Sequence, residues 1–227
     1  AAEALARMDG LKQEGALVRR VQASRCRAKL RAVSRNGGGG SVWWKVQGMK
    51  FCVFGLGAIG GFVAARLALS GQPVSALARA ATLAAVREHG LRLFSQGEEQ
   101  SVRIEVSDSP AALAGADVIV LAVKTTALPV VARTIAPMLG PDTVVLSAMN
   151  GVPWWFFHGL GERWRDTRLA ATDPDGALVS AIAPERVLGC VVHMAASCPQ
   201  PGVVRHAFGD RFIVGEPGGA STPRLAA

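Results

Sequence analysis

Short apolar runs alternate with helix-like stretches from residue 50 onward, an alternation typical of a layered α/β fold. The longest of these runs, Val118–Val123, is typical of a parallel strand covered on both faces. We therefore predict a doubly wound, Rossmann-type α/β sheet, mostly parallel, that finishes with a meander of late strands. The predicted strands are 50–54, 74–77, 91–95, 101–106, 117–123, 143–147, 187–193, 202–206 and 211–214; the predicted helices are 58–70, 80–88 and 125–138, and a polar turn is predicted over 96–99.

Three glycines stand at a fixed spacing directly after the first predicted strand. The apolar run Phe51–Phe54 leads into Gly55-x-Gly57-x-x-Gly60 and a predicted helix, which together form the strand, turn and helix of a dinucleotide-binding unit. In such units the first glycine makes the turn, the second admits the pyrophosphate and the third lets the helix pack on the strand. The alternative is a glycine-rich turn in an ordinary α/β sheet. We predict that the cofactor contacts of this turn are Gly55, Leu56, Gly57, Ala58, Ile59 and Gly60.

The end of the second predicted strand indicates which dinucleotide is bound. In NAD-selective domains an acid about 20 residues past the glycines binds the ribose 2′-hydroxyl. The segment Val74–Arg79 contains no acid, and the first one downstream is Glu88. Arg79 instead offers a planar, permanently charged donor for a 2′-phosphate. This favours NADP(H) as the cofactor, and the alternative is that Arg79 merely caps the sheet edge in solvent.

Residues 1–48 differ from the rest of the chain in charge and composition. Residues 1–50 contain eleven Lys and Arg against three acids, whereas residues 51–227 contain fourteen of each. The run Asn36–Ser41 has the composition of a flexible linker. We expect 1–48 to be a basic flexible extension, either an added sequence or a leader such as a transit peptide. We expect 49–217 to be the NADP-binding Rossmann domain and 218–227 to be the start of a truncated C-terminal region.

The remaining composition argues against several other function classes. Because the part after residue 50 is neutral, we expect it to bind no nucleic acid. The four cysteines form no C-x-x-C pair and the four histidines lack metal-ligand spacing, so we expect no metal site. The sequence has no clear secretory signal and no apolar run long enough to cross a bilayer. We therefore expect a cytoplasmic protein without a membrane partner.

Polar residues follow two of the predicted parallel strands. Lys124 comes directly after 117–123, and Asn150 comes shortly after 143–147. Ligands of such sheets bind outside the carboxyl ends of the strands, where these two side chains could hold a carboxamide, a carbonyl oxygen or a carboxylate. The alternative is that Lys124 caps a helix start and Asn150 supports the turn before Gly151. The spacing alone does not choose between the two.

Four motifs, taken in order and spacing, resemble the ketopantoate reductase (2-dehydropantoate 2-reductase) family. They are M-K-x-x-V-F-G-x-G-A-I-G-G from Met49, A-D-V-I-V-L-A-V-K up to Lys124, N-G-V-P from Asn150 and P-G-V-V-R-H at Pro201–His206. The resemblance extends to about Gly215. It implies NADPH-dependent reduction of a small-molecule 2-oxo acid, 2-dehydropantoate, to (R)-pantoate, a step toward pantothenate and coenzyme A.

By position, the resemblance implies roles for single residues. Residues 55–60 would bind the pyrophosphate, and Arg79 would bind the 2′-phosphate. Lys124 would lie near the cofactor, and Asn150 would contact both cofactor and substrate. Ala195 would contact the cofactor through its backbone.

The resemblance also implies that part of the catalytic machinery lies outside residues 1–227. The family's proton donor is a lysine of a second, all-helical domain, which also supplies a glutamate and most substrate contacts. Lys124 is the only lysine after Lys50, so we expect the donor beyond Ala227 and assign no catalytic residue here. A homodimer would form through the same domain. We expect residues 1–227 alone to be inactive, and a non-catalytic NADP-binding module is the alternative function.

The segment Val152–Phe157 departs from the simplest pantoate enzymes because it is unusually bulky. It contains Trp154, Trp155, Phe156 and Phe157 in succession. We expect it either to line the cleft and admit a different 2-oxo acid, or to form a face that packs on a further domain. Because we expect that domain to lie outside residues 1–227, we expect these side chains to form an unusually exposed aromatic surface.

Overall fold

The computed structural model describes residues 19–22, 48–164 and 167–226. Its strands are β1 (Arg19–Gln22), β2 (Phe51–Phe54), β3 (Val74–Leu77), β4 (Leu91–Ser95), β5 (Glu98–Val102), β6 (Glu105–Ser107), β7 (Val118–Leu121), β8 (Val144–Ala148), β9 (Val187–Gln200) and β10 (Val203–Gly215). Its α-helices are α1 (Ala58–Leu69), α2 (Ala80–His89), α3 (Leu128–Thr134), α4 (Ala177–Ala181) and α5 (Pro223–Ala226). Short 3-10 turns cover Pro110–Leu113, Thr125–Ala127, Ala136–Met138, Glu162–Trp164 and Pro184–Arg186.

The strands form one sheet whose centre is parallel. Its order is β5-β4-β10-β9-β8-β7-β2-β3-β6, and β1 pairs with β10. From β6 through β9 all neighbours are parallel. The chain starts this part at β2 and continues to β3 beside it. It then forms the β4–β5 hairpin at the far end of the sheet, comes back to β6 beside β3, and crosses to β7 on the other side of β2. This reversal is the topological switch point of a doubly wound sheet, and the mostly parallel α/β fold predicted from the sequence is confirmed.

Alternating strand residues build a separate core on each face of the sheet. Val53 and Val120 belong to the core beneath α1 and α2. Their neighbours Cys52 and Ile119 belong to the opposite core, beneath α3 and α4. Because successive side chains of a strand point to opposite faces, a strand that is apolar throughout can fill both cores. This explains the continuous apolar runs in β2 and β7.

The segment predicted as one strand over 101–106 is two strands in different places. β5 pairs antiparallel with β4 through a two-residue turn at Gln96 and Gly97, both with positive φ, as in tight hairpins. Glu98 and Glu99 are therefore strand residues rather than part of the predicted turn. After Val102 the chain leaves β4, and β6 pairs with β3 instead.

Prolines interrupt the helix predicted over 125–138. α3 begins at Leu128 with Pro129 in its first turn, where a missing N–H costs no helical hydrogen bond. Pro137 lies in the 3-10 turn that follows. Because the residue before a proline disfavours the α conformation, α3 ends at Thr134 and the chain continues in tighter turns.

The late strands form one long hairpin. The predicted strands 202–206 and 211–214 are the two halves of β10, which pairs antiparallel with β9. The pairing register shifts between Val203 and Arg205, between His206 and Phe208, and between Phe208 and Arg211. Such bulges bend a strand and interrupt its side-chain alternation, which is why its two halves look like separate strands in the sequence.

Most of the predicted extension 1–48 lies outside the described residues. Among those that are described, no helix is long and apolar enough to cross a membrane. Likewise, the described residues contain no group of three or more His, Cys, Asp or Glu that could hold a metal ion. The domain limits at 48/49 and 217/218 stay predictions.

Gly60 provides a stability test, because a Cβ built there would lie 1.9 Å from the Gly55 carbonyl oxygen. We expect Gly60→Ala to lower the free energy of unfolding by about 1–3 kcal/mol, the usual cost of overpacking. Gly57→Ala is the matched control, since a Cβ there meets no atom within 4 Å. Urea unfolding of both variants makes the comparison, and equal losses would contradict the packing role of Gly60.

The cysteines provide a second test. Burial raises the pKa of the Cys190 thiol to about 12, and burial likewise raises the pKa of Cys52, whereas Cys198 is exposed. Only the thiolate is nucleophilic. We therefore expect iodoacetamide at pH 8 to modify Cys198 in the folded Cys26→Ser protein, and Cys52 and Cys190 only after unfolding. Cys190 and Cys198 share the tryptic peptide 187–205, so fragmentation of that peptide in tandem mass spectrometry locates the label, and labelling of Cys190 as fast as Cys198 would contradict the expectation.

Candidate dinucleotide site

The turn between β2 and α1 lies at the switch point of the sheet. Gly55 has a φ of +102°, a left-handed conformation that favours glycine. A Cβ on Gly55 would also lie 2.8 Å from Cγ1 of Val123, at the end of β7. The Gly55 amide donates a hydrogen bond to the Leu77 carbonyl at the end of β3. The turn is therefore wedged between the two strands that flank β2.

The second glycine leaves open space, as a cradle for a ligand requires. Among the described residues, no atom lies within 4 Å of a Cβ built on Gly57, which is the exposed N-cap of α1. No side chain caps α1, and no acid lies in its first turn. The first N–H groups of a helix have no partner within it, and they attract anions. The turn 55–60 therefore fits a dinucleotide pyrophosphate on steric and electrostatic grounds.

Arg79 lies at the position where the sequence predicts the residue that distinguishes NADP from NAD at the ribose 2′ group. It follows the end of β3 as the N-cap residue of α2 and is exposed. Its guanidinium makes no hydrogen bond or ion pair with the described part of the chain, so it is available to an anion. Ala80, directly after it, has a φ of +45°, which is unusual for a residue with a side chain and which sequence reasoning missed.

Lys124 and Asn150 lie in loops that contact each other. Lys124 is exposed and precedes the 3-10 turn after β7. Asn150 follows β8, and a Cβ on its neighbour Gly151 would lie 2.9 Å from Oγ1 of Thr125. The predicted proximity of the two strand ends is confirmed. The Lys124 ammonium also has no hydrogen-bond or ion-pair partner among the described residues.

The Asn150 amide joins the end of β8 to β9. Its Nδ2 donates to the Val192 carbonyl at 2.9 Å, and its Oδ1 accepts from the Val192 amide at 2.8 Å. The side chain thus continues the strand pairing two residues beyond Ala148, the last β8 residue paired with β9. An amide has two donor hydrogens and two acceptor lone pairs, so one of each stays free. Asn150 therefore supports its loop and can still bind a ligand.

Ala195 lies on the part of β9 that extends past the end of β8. It is half-buried and pairs with Phe208 of β10, next to a register shift. The structure brings the glycine turn, Arg79, Lys124 and Asn150 to the carboxyl ends of β2, β3, β7 and β8, and β9 carries Ala195 past the same edge. The role of each residue toward a cofactor stays a prediction.

The aromatic segment after Asn150 does not form the predicted exposed surface. Trp154 is only 3% exposed and lies in the core beneath α3. Trp155 covers Gly189, where a Cβ would lie 2.7 Å from its ring. Phe156 and Phe157 contact each other edge to face, and Phe157 stacks on Trp164. The side chains bury one another and the β9 backbone, which the order of residues alone does not reveal.

The chain resembles proteins of one family. Residues 51–154 match the family described as "Ketopantoate reductase PanE/ApbA". The 2-dehydropantoate 2-reductase of Mesorhizobium japonicum is 44% identical over 178 residues, which are 78% of this chain and 55% of that protein. The 2-dehydropantoate 2-reductase of Halobacterium salinarum is 30% identical over 181 residues, or 78% of this chain and 52% of that protein.

Solved structures agree with the sequence comparison. A crystal structure from Ralstonia solanacearum MolK2, provisionally described as a ketopantoate reductase, has 47% sequence identity and a TM-score of 0.76, and the match covers 79% of this chain and 56% of that one. The 2-dehydropantoate 2-reductase from Porphyromonas gingivalis W83 has 27% sequence identity and a TM-score of 0.62, and the match covers 79% of this chain and 60% of that one. The chain spans about half the length of the curated relatives it matches. Residues 51–154 are therefore a domain of the ketopantoate reductase PanE/ApbA family.

Proposed function

We propose that this chain is the cofactor-binding half of an NADPH-dependent oxidoreductase that reduces 2-dehydropantoate to (R)-pantoate, toward pantothenate and coenzyme A. The observation that carries the proposal is the open, uncapped N-terminus of α1 at the switch point of the sheet. The names of its relatives indicate the substrate. A cytoplasmic location and a homodimer formed through a further domain belong to the same proposal.

One segment of this chain, which follows β3, favours NADPH over NADH. The helix N-terminus at Gly57 would hold the pyrophosphate through backbone N–H groups, which do not distinguish the two cofactors. The distinction falls to the segment after β3, which has no acid to accept bonds from a ribose 2′-hydroxyl. The unpartnered guanidinium of Arg79 would pair with a 2′-phosphate.

The chemistry requires a hydride and a proton. Bound NADPH supplies the hydride to the 2-oxo carbon. The oxygen on that carbon gains negative charge and must take a proton, and a positioned acid typically contributes about 10²–10⁴-fold to the rate. Lys124 is the only lysine after Lys50, and we assign it a position beside the cofactor. The proton donor then comes from outside residues 1–227.

Asn150 would orient the reactants. Its bonds to Val192 fix the amide plane, so the free Nδ2 hydrogen and the free Oδ1 lone pair have a set direction. A group held in this way can align a carboxamide or a 2-oxo acid without losing side-chain entropy on binding. Orientation of bound reactants is itself a large part of catalysis.

The cofactor proposal predicts a selective effect of Arg79→Ala. Loss of a charged hydrogen-bonding partner costs about 1.5–3 kcal/mol, so we expect NADPH affinity to fall roughly 10- to 100-fold. NADH, which lacks the 2′-phosphate, should lose little. Calorimetric titration of both cofactors measures this, with Arg87→Ala as a control on the same helix. Equal losses for NADPH and NADH would contradict the role of Arg79.

If the cofactor contacts lie in residues 1–227 and the proton donor lies outside them, this chain should bind NADPH without turning over substrate. We expect residues 1–227 to bind NADPH but not to oxidise it when 2-dehydropantoate is added, as followed at 340 nm. If the reading frame extends past Ala227, its full product should oxidise NADPH in the same assay. Substrate-dependent oxidation by residues 1–227 alone would contradict a donor outside them. An inactive full product that binds NADPH would favour a non-catalytic module or a different 2-oxo acid.

A further inference from the structure

A polar chain of three side chains lies between α1 and the β4–β10 part of the sheet. Nη2 of Arg66 donates to Oγ of Ser95 at 3.2 Å. Oγ of Ser95 lies 3.0 Å from Nδ1 of His206, and Nε2 of His206 contacts the Gly209 carbonyl oxygen. Ser95 is 7% exposed, so its two bonds are partly shielded from water, whereas the bond from His206 to Gly209 lies at the surface.

Bonds at both ring nitrogens hold the His206 imidazole in place. A carbonyl oxygen only accepts, so Nε2 of His206 donates to Gly209. A guanidinium only donates, so the Ser95 hydroxyl oxygen accepts from Arg66, and the same oxygen bonds to Nδ1 of His206. Together the three bonds fix the position of the ring between α1 and the bulge.

The far end of this chain closes a bulge in β10. His206 pairs with Ala196 and Phe208 pairs with Ala195, so Ala207 is an extra residue opposite them. Gly209 has a φ of +74°, and a Cβ there would lie 2.5 Å from the His193 carbonyl oxygen. The hydrogen bond from His206 to Gly209 therefore spans the bulge. Gly209 packs against the β9 backbone at His193 and Met194, next to Ala195.

The near end of the chain is fixed to α1. The His206 ring lies 4.8 Å from the Phe62 ring, and the Arg66 guanidinium lies 5.4 Å from the same ring. A Cβ on Gly61 would lie 2.6 Å from Cγ2 of Val204, so the helix sits close on β10. Nothing can shift between α1 and the bulge without breaking these contacts.

We propose that Arg66, Ser95 and His206 are positioning residues that hold the β10 bulge, and with it the Ala195 backbone, at a fixed place relative to the N-terminus of α1. This inference rests on the proposed function, in which α1 binds the pyrophosphate, and on the cofactor contact that the resemblance implies for Ala195. Because β9 lies on the side of β2 opposite to β3 and Arg79, that contact falls to the nicotinamide half. The three side chains then set its separation from the phosphate contacts. Bulges frequently occur beside active sites, where they aim neighbouring groups.

The test compares a whole cofactor with the half that lacks nicotinamide. The 227-residue chain and its His206→Gln variant are titrated with NADPH and with 2′,5′-ADP, which keeps the adenosine and the 2′-phosphate. We expect His206→Gln to weaken NADPH on the order of tenfold, the effect of losing a hydrogen bond that positions a contact, and to leave 2′,5′-ADP unchanged. Ser95→Ala, a smaller change in the middle of the hydrogen-bonded series from Arg66 to His206, should also weaken NADPH and leave 2′,5′-ADP unchanged.

The controls separate positioning from general stability. His89→Gln makes the same substitution at an exposed site at the end of α2 and should leave both affinities unchanged. If His206→Gln and Ser95→Ala weaken both ligands equally, or neither, the positioning role is overturned while the proposed function stands. If the wild-type chain binds NADPH no better than buffer, the proposed function fails and this inference fails with it.

Discussion

The close approach of α1 to β2 is the constraint on which the rest of the site depends. A single Cβ at Gly60 would come within 1.9 Å of the Gly55 carbonyl oxygen, so helix and strand meet backbone to backbone. This approach lets the helix begin directly at the switch point. There β2 lies between β3, which follows it in the chain, and β7, which comes much later. The unpaired N–H groups of the helix then face the cleft rather than the interior.

Two polar side chains near this edge of the sheet, Asn150 and His206, are held by bonds to the backbone rather than by ion pairs. The Asn150 amide replaces a missing strand pairing with Val192, and His206 closes a bulge through the Gly209 carbonyl. Lys124 and Arg79 have no such partners among the described residues. The site therefore combines two amide- or imidazole-fixed positions with two free cations, an arrangement that suits a ligand with several negative charges.

Local features of the fold could be predicted from the sequence, and distant pairings could not. β3 and the glycine turn follow from apolar periodicity and residue spacing within a dozen positions, and β3 has the predicted bounds. The split between β5 and β6 depends on which strand each half joins, which no local pattern encodes. The bonds between Asn150 and Val192 and between Ser95 and His206 link residues 42 and 111 positions apart. The burial of Trp154 likewise depends on α3 and β9 covering it.

A crystal structure of residues 1–227 grown with a saturating concentration of NADPH tests the dinucleotide site most directly. We expect the pyrophosphate to lie against the backbone N–H groups that follow Gly57, and the 2′-phosphate to lie against the Arg79 guanidinium. We also expect the nicotinamide half to extend toward Asn150 and Ala195. A nucleotide bound elsewhere on the chain, or crystals with an empty glycine turn despite saturating NADPH, would contradict the central claim.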